Sequence, residues 1–509
     1  MSKIYAIGVG GSGAKCIEAV TFLHAIGAYG DNCELNVLLI DADPTNGNLT
    51  RTQQNITKTI NCYWHFKKGS SRFMAAEIKD WKVWNPLEQS VGNSFEQMLE
   101  LRPSDPLRGV FEVLYGPNER VMDFDVGFRG RPPVGSAILG TLGIDGGFRD
   151  RQNPLERMLN DVQNTEGVTG TFIHLFGSIF GGTGASGVPS LAKLIGDRLR
   201  NDMGMDIEIN TSILLPYFDF EKPPEEEKVF AEKRFFSLNT QAALKFLYQQ
   251  SRNEKIFKDI YIIGNSASTN YSSKTGGEEQ KNDAHFVELY AALAIKDIIK
   301  RRQDDLSTSS NDGTKVHYIC RRNQDHLIWE DFPDGSGLKK DLGGAVRIAY
   351  MWAHNFSLEL QAASRLGPKQ FAIGAPWFPR FFDTNSIKTS TNNKKTSGDF
   401  LPTIADDEQI QALKAFDIWA DAFLLWAKQL SKSHHRGDRL FNLNDVKANA
   451  QEKAYKDKLS KLVTDQAVSP EQERQDCVDT IKNTLADLDN SEIQEDGVVG
   501  LVHTLFKNA

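Results

Sequence analysis

Between an apolar run (Thr171 to Phe176) and a helical segment (Val188 to Leu199), the chain reads Leu175-Phe-Gly-Ser-Ile-Phe-Gly-Gly-Thr-Gly-Ala-Ser-Gly187. A strand that runs into so many glycines and comes out as a helix leaves few folds open. Glycines at 177, 181, 182, 184 and 187 remove the β-carbons that would hold a backbone away from a ligand, and a helix start offers unpaired N–H groups to an anion. The stretch reads as a phosphate cradle on an α/β sheet, with a tight strand-to-helix turn as the plainer alternative.

A second signal of the same kind lies near the start. Ile4-Tyr-Ala-Ile-Gly-Val-Gly-Gly-Ser-Gly13 is a β-branched run ending in glycines, and Ala14 to Ile26 then carries Ile17, Val20, Phe22 and Leu23 at helical spacing. Gly8, Gly10 and Gly13, with Gly11 and Ser12 between them, fit G-x-G-x-x-G, which places a pyrophosphate on a helix N-terminus. The next strand, Leu35 to Asp43, ends in Asp41 and Asp43 at the edge where ligands of parallel sheets bind. In a dinucleotide-binding enzyme Asp41 would take ribose hydroxyls; in a plainer reading both acids cap the turn before Pro44.

The rest of the chain adds further candidates. Residues 50 to 125 show no clear period and read as helices and loops covering the sheet. Gly127-Phe-Arg-Gly-Arg-Pro-Pro-Val-Gly135 leads into a helix at Ser136 to Leu142, with Arg129 and Arg131 free to meet phosphate or solvent. Strands follow at 207–216 and at Asp259 to Asn265, separated by an acidic loop (Pro223 to Lys228) and a helix (Ala231 to Gln250). Asn265 either reads a base edge with its donor and acceptor or merely turns the chain.

Residues 266–283 read as a mobile polar loop, and Ala284 to Ile299 as a helix with Phe286 and Tyr290 on its broad apolar face. After a polar linker (Gln303 to Thr314), Asp331 and Asp334 stand three residues apart at a helix entrance. There they could orient water or simply cap the helix. Beyond Gly344 come amphipathic helices (Ile348, Trp352, Phe356, Leu360; Leu413, Phe416, Phe423, Leu430; Val478, Ile481, Leu485, Leu488), a polar linker from Thr384 to Gly398, and a remnant of strand around Phe371 to Phe382. The apolar tail Val498 to Phe506 suggests docking on a neighbour.

Composition limits the partners. A chain of 509 residues with 40% hydrophobic content supports two or three domains. A net charge of -8 and a pI near 5.8 argue against a sequence-independent grip on nucleic acid. Five scattered cysteines lack metal-ligand spacing and read as reduced thiols. No apolar run approaches membrane-spanning length and no signal peptide precedes Ile4, so the expected location is cytoplasmic.

Taken in order, these motifs resemble the tubulin/FtsZ superfamily of GTPases, and the divergent bacterial tubulin-like proteins more than FtsZ or eukaryotic tubulin. Gly181-Gly-Thr-Gly-Ala-Ser-Gly187 resembles the family's glycine signature, although Phe180 replaces a small residue and the last glycine comes one position late. Asp41-Ala-Asp-Pro-Thr45, Gly127 to Gly135, Leu215-Pro-Tyr-Phe-Asp-Phe-Glu221, the strand ending in Asn265 and Asp331-Phe-Pro-Asp334 resemble the family's other loops in turn. Trp329 and Tyr290 stand where the family has Asn.

The resemblance implies a Rossmann-like α/β GTPase domain at 1–283 with a mostly parallel sheet. It also implies a long central helix at 284–301, a second domain at 302–400 and a helix-rich extension at 401–509. GTP would lie on Gly8, Gly10, Gly11, Ser12, Gly13, Gly130, Arg131, Pro133, Gly135, Gly177, Gly181, Gly182, Thr183 and Gly184. Its base would meet Asn265, Phe286 and Tyr290, and Mg2+ would sit at Asp41 and Asp43. Asp331 and Asp334 would act on the nucleotide of a neighbouring copy in a head-to-tail filament, and the C-terminal helices could take a protein partner. An NAD-dependent enzyme and a nucleotide-binding interaction protein without hydrolysis are the alternatives.

Overall fold

The structure is a computed structural model that describes residues 2–88, 94–125, 127–145, 150–165, 170–220, 233–265, 269–271, 276–304, 313–321, 327–384, 401–433, 440–443, 459–463, 477–489 and 491–508. The acidic loop at 223–228, most of the linker at 303–314 and nearly all of the linker at 384–398 lie outside the described residues. The chain forms two compact units. The first holds residues 1–20, 33–54 and 78–324; the second holds 21–32, 55–77 and 325–509.

The first unit is built on a seven-stranded parallel sheet. Its strands are β1 (Ser2–Val9), β2 (Cys33–Ile40), β3 (Ile78–Trp84), β4 (Phe172–Ser178), β5 (Glu208–Leu214), β7 (Asp259–Ile263) and β9 (Lys315–Ile319), in the order β3-β2-β1-β4-β5-β7-β9. Two short strands, β6 (Phe218–Phe220) and β8 (Thr269–Tyr271), pair separately. β2 and β4 are buried along their whole length and β1 along all but its first two residues, which is why they read as mainly apolar runs broken by buried Glu34, Asn36 and His174. Ile7, Val9, Leu38, Ile173, Leu175 and Ile213 pack with Leu191 and Ile195 of helix Thr183–Asp197 in one core.

The order reverses between β1 and β4: from β1 the chain builds outward through β2 to β3, and from β4 outward to β9. Such a switch point opens a crevice at the carboxyl ends of the two central strands, where both glycine runs emerge.

Several sequence expectations change here. Residues 50–125 are not only helices and loops, because β3 is an edge strand of the main sheet; β9 forms the other edge unannounced. The glycine-run helix begins at Thr183, five residues earlier than its apolar pattern suggests, because glycine hides helical periodicity. The loop before the long helix Phe286–Asp304 is pinned where it is described: Gly277 N donates to Asp43 Oδ2 at 2.7 Å, Asn282 N to Asn48 Oδ1 at 2.8 Å, and Gly47 N to Gly277 O at 3.0 Å.

The second unit is helical. Helices Gly335–Met351 and Ser357–Leu366 run through a π turn at Trp352–Phe356 and are joined by Asp407–Lys432, Val478–Asp487 and Gly497–Lys507. Aromatic rings fill its core: Phe73 stacks on Phe506 at 4.2 Å, Trp352 meets Phe416 at 4.8 Å, and Phe22 meets Trp426 at 5.1 Å. The segment Phe371 to Phe382 is a helix, Pro368–Gly374, and a 3₁₀ turn, Phe378–Arg380. Among the described residues the unit's only strand-like pairing is one bridge, Phe441 to Val463. The apolar tail covers its own chain: His503 Nε2 donates to Phe66 O at 2.9 Å, and its Nδ1 accepts from Ser71 Oγ at 2.6 Å.

Candidate functional site

Four segments meet at the switch point. β1 passes through Gly10, at φ +73°, directly into helix Gly10–Ala25, and β4 passes through Gly181 and Gly182 into helix Thr183–Asp197. A β-carbon on Gly10 would lie 3.3 Å from Gly184 N and from Thr183 Cβ, so the two helix starts abut. Helix N-termini carry unpaired N–H groups and partial positive charge, and two side by side form a strong anion site.

The glycines do two different jobs. At Gly184 a β-carbon would sit 2.4 Å from Ser178 O, at Gly13 2.5 Å from Phe176 O, and at Gly177 2.6 Å from Val188 Cγ2. At these positions, and at Gly8 and Gly187, the missing side chain admits the chain's own neighbouring backbone and core. Gly182 lies against Phe128 and Gly130 N at 3.0 Å, while Gly181 meets only Ser178 Oγ at 3.5 Å. Gly181 is therefore the residue of the run whose surface is open. Phe180 is buried with Phe236 and Phe218 at 5.0 and 5.1 Å, which accounts for a large residue there.

The loop after β2 places two carboxylates in different roles. Asp43 is spent on its turn: Oδ1 accepts from Thr45 N and Thr45 Oγ1 at 3.0 and 2.8 Å, and Oδ2 from Gly277 N. Asp41 is buried, and its Oδ1 accepts from Asp43 N at 3.2 Å and Thr183 Oγ1 at 3.3 Å. Its Oδ2 is buried without a hydrogen-bond partner. Burial pushes the Asp41 carboxyl up to about 7; the Asp43 N–H pulls it down, the Asp43 charge raises it further and Thr183 lowers it again. A buried carboxylate oxygen without a partner is costly unless it is protonated or meets a donor or a cation.

The loop at 127–131 closes a third side. Gly127, Arg129 and Gly130 all have positive φ. Arg129 pairs with Asp123 at 2.5 Å, and Arg131 lies 3.7 Å from Glu119 with its guanidinium over the Phe235 ring. Both arginines thus have acidic partners within the chain. Pro133 O accepts from Tyr115 OH at 3.3 Å, and Gly135 lets helix Pro132–Asp145 press on Ser186.

Asn239 was not singled out by sequence. Its Nδ2 donates to Phe180 O at 3.0 Å and to Gly130 O at 3.3 Å, tying the two loops together. Asn46 was also missed; its amide lies over Gly11, about where a β-carbon would be 3.1 Å away, and donates to Gln280 Oε1 at 2.8 Å. Behind Gly13, Lys15 is buried in an ion pair with Glu288 at 2.5 Å, so its charge is met inside the unit.

Asn265 follows β7 at the same sheet edge. Phe286 and Tyr290 are wholly buried and meet edge to face at 5.8 Å. Asp331 and Asp334 belong to the second unit. Asp331 is buried and accepts from Ile328 N at 3.1 Å across its own 3₁₀ turn; Asp334 is exposed, at φ +53°, before helix Gly335–Met351. Trp329, where the resemblance has Asn, is buried against Phe441 at 5.5 Å.

Among the described residues no three His, Cys, Asp or Glu side chains gather to hold a metal, and no helix is long and apolar enough to cross a membrane. Asp41 Oδ2 alone still suits Mg2+, which keeps most of its waters and uses one or two carboxylates beside phosphate oxygens.

No family model and no curated protein matches the chain. Among solved structures it is similar to CetZ2 from Haloferax volcanii, a GTPγS-bound protofilament, at 13% identity over 59% of this chain and 58% of that one, with a TM-score of 0.29. It is also similar to CetZ from Methanosaeta thermophila, at 12% identity over 61% and 57% of the two chains and a TM-score of 0.25. The chain thus spans less than three fifths of the length of either.

Proposed function

We propose that the first unit binds GTP with Mg2+ and that the chain is a tubulin/FtsZ-type GTPase that stacks head to tail, hydrolysing GTP at the junction. The observation that carries the nucleotide site is the meeting of two glycine-loop helix starts, the second of which bonds Asp41, a buried carboxylate with one oxygen unpartnered. An NAD enzyme needs only the first loop. It leaves unexplained why Asp41 bonds Thr183 of the second loop.

Phosphates rest on the backbone N–H groups of Gly11 to Gly13 and Gly181 to Gly184, with Gly130 and Arg131 closing over the terminal phosphate. Asp41 holds the cation, with Asp43 shaping its turn. A Mg2+ ion held by Asp41 would supply charge neutralisation at the phosphates. Asn265 reads the guanine edge; Phe286 and Tyr290, wholly buried against each other, belong to the core and not to the base site that their positions in the sequence suggest. Asp331 and Asp334 of the next copy orient the attacking water.

The specific GTPase rate rises with protein concentration under this reading, because a site completed by a neighbour needs one. Asp334→Ala leaves GTP affinity unchanged and removes most turnover. A second reading, nucleotide binding without hydrolysis, draws on the commitment of Asp331 to its own turn and on the buried Trp329. A rate per molecule that is flat with concentration, or full turnover in Asp331→Ala and Asp334→Ala, decides against action in trans.

A further inference from the structure

Asn46 carries a donor that its own chain leaves unused. It stands immediately before helix Gly47–Phe66, where its Oδ1 accepts from Asn48 N at 3.0 Å and from Leu49 N at 3.3 Å, the ordinary bonds of an N-cap. Those bonds fix which end of the amide is which, because the NH2 end would there face two N–H donors. Nδ2 then donates one proton to Gln280 Oε1 at 2.8 Å, and among the described residues it makes no other hydrogen bond. The residue is 3% exposed, which leaves little room for water at the second proton. A buried donor without an acceptor is costly, and serine or aspartate would cap the helix without that cost.

The unused proton lies beside the first glycine loop. Asn46 Nδ2 is 3.1 Å from the place a β-carbon on Gly11 would take. Gly11 and Ser12 are half-buried, whereas Gly8, Gly10 and Gly13 are buried, so the amide borders the part of the loop that is open. The acceptor that orients it is itself fixed: Gln280 N donates to Gly277 O at 3.1 Å, Gln280 O accepts from Asn48 N at 3.1 Å, and Gly47 has no β-carbon to hold the Glu278 carbonyl away.

We propose that Asn46 is a phosphate ligand, its second amide proton donated to an oxygen of the phosphate that rests on Gly11 and Ser12. The inference rests on the nucleotide reading above and deepens it, since a side chain from a third segment joins the two glycine loops in holding phosphate. It also gives a reason for an amide at this position. A carboxylate would cap the helix equally well but would meet a phosphate with like charge.

Calorimetric titration of the full chain with GTP and with dideoxy-GTP, each with Mg2+, tests it. Asn46→Ser keeps a capping oxygen and lacks the amide; it weakens both nucleotides by the same factor, about tenfold, the scale of a hydrogen bond to a charged group. Asn46→Asp also caps the helix and adds a negative charge beside the phosphate; it weakens both by about a hundredfold or more. Without nucleotide, in EDTA, both variants melt like the wild type because the cap is retained. Wild-type affinity in Asn46→Asp overturns the inference. A loss of affinity that comes with a lower melting temperature in both variants assigns Asn46 to the helix cap alone and overturns it too. A loss seen with GTP but absent with dideoxy-GTP places the amide on a ribose hydroxyl, against the phosphate assignment. Gly181→Val separates the two levels: if it abolishes binding while Asn46→Asp does not, the cradle stands and this inference falls. A wild type that binds neither nucleotide removes the nucleotide reading and this inference with it.

Discussion

Asp41→Asn removes one charge and keeps the volume, but sets two amide protons where the unpartnered Oδ2 lay, a pH-independent cost of roughly 1 to 3 kcal/mol. The asparagine oxygen still accepts from Thr183 and the Asp43 N–H. In the wild type, burial pushes this carboxyl from 3.8 up to about 7, and a shift of that size corresponds to about 4 kcal/mol. Because the folded value lies above the unfolded one, the native state holds its proton longer. The associated stability is fully present below the unfolded value of 3.8 and is lost as pH rises through about 7. Without metal or nucleotide, Asp41→Asn should therefore gain on the wild type by up to about 4 kcal/mol between about pH 4 and pH 8, less whatever the two helix starts return to the anion.

Urea titrations of both proteins in EDTA across that range give the difference directly, since every other group titrates in both. Adding Mg2+ and GTP at the alkaline end should reverse the order, because the ligand stabilises only the protein that can hold the cation. A difference that varies by less than about 1 kcal/mol across the range refutes the account of Asp41 as a buried carboxylate lacking a counter-charge.

The remaining expectations separate folding from binding. Gly181→Val should keep its melting temperature and lose GTP affinity, whereas Gly184→Ala should fold poorly, because its β-carbon would lie 2.4 Å from Ser178 O; thermal melts with and without GTP distinguish them. Asn265→Ala should weaken GTP binding by roughly 1 to 3 kcal/mol and narrow the preference for GTP over ATP; calorimetric titration with each nucleotide measures both, and an unmoved preference removes Asn265 from base reading. His503 is held neutral by burial, its value lowered from 6.5 to about 4, with the Phe66 carbonyl pulling it back up. Its contribution is present above 6.5 and lost as pH falls toward 4, so wild type should lose about 3 kcal/mol relative to His503→Gln over that range by urea titration.

The central strands and both glycine runs were legible because burial on both faces writes a mainly apolar run, and glycine beside a helix start has few other uses. The edge strands were not. β3 exposes Lys79 and Asp80 between its buried ends, Ile78 and Trp84, and β9 turns Val316 and Tyr318 outward, so neither writes the mainly apolar run of a central strand. The difference between Asp41 and Asp43 is also invisible in sequence: Asp43 is claimed by Gly277, 234 positions away. The same separation hides the Asn46–Gln280 bond. In the second unit the helices were readable from their spacing. The fate of the apolar tail was not, because an apolar stripe looks alike whether its cover comes from the same chain or another.

The fork made by Asn239 has a thermodynamic consequence. One planar NH2 group carries both protons, one for Gly130 O and one for Phe180 O, so the loops cannot drift apart without surrendering at least one of them. Two segments that would each wander separately are merged into one body before any ligand arrives. Whatever settles between them then has less disorder to remove. Aspartate at this position has no proton to give either carbonyl and would set the two loops free together.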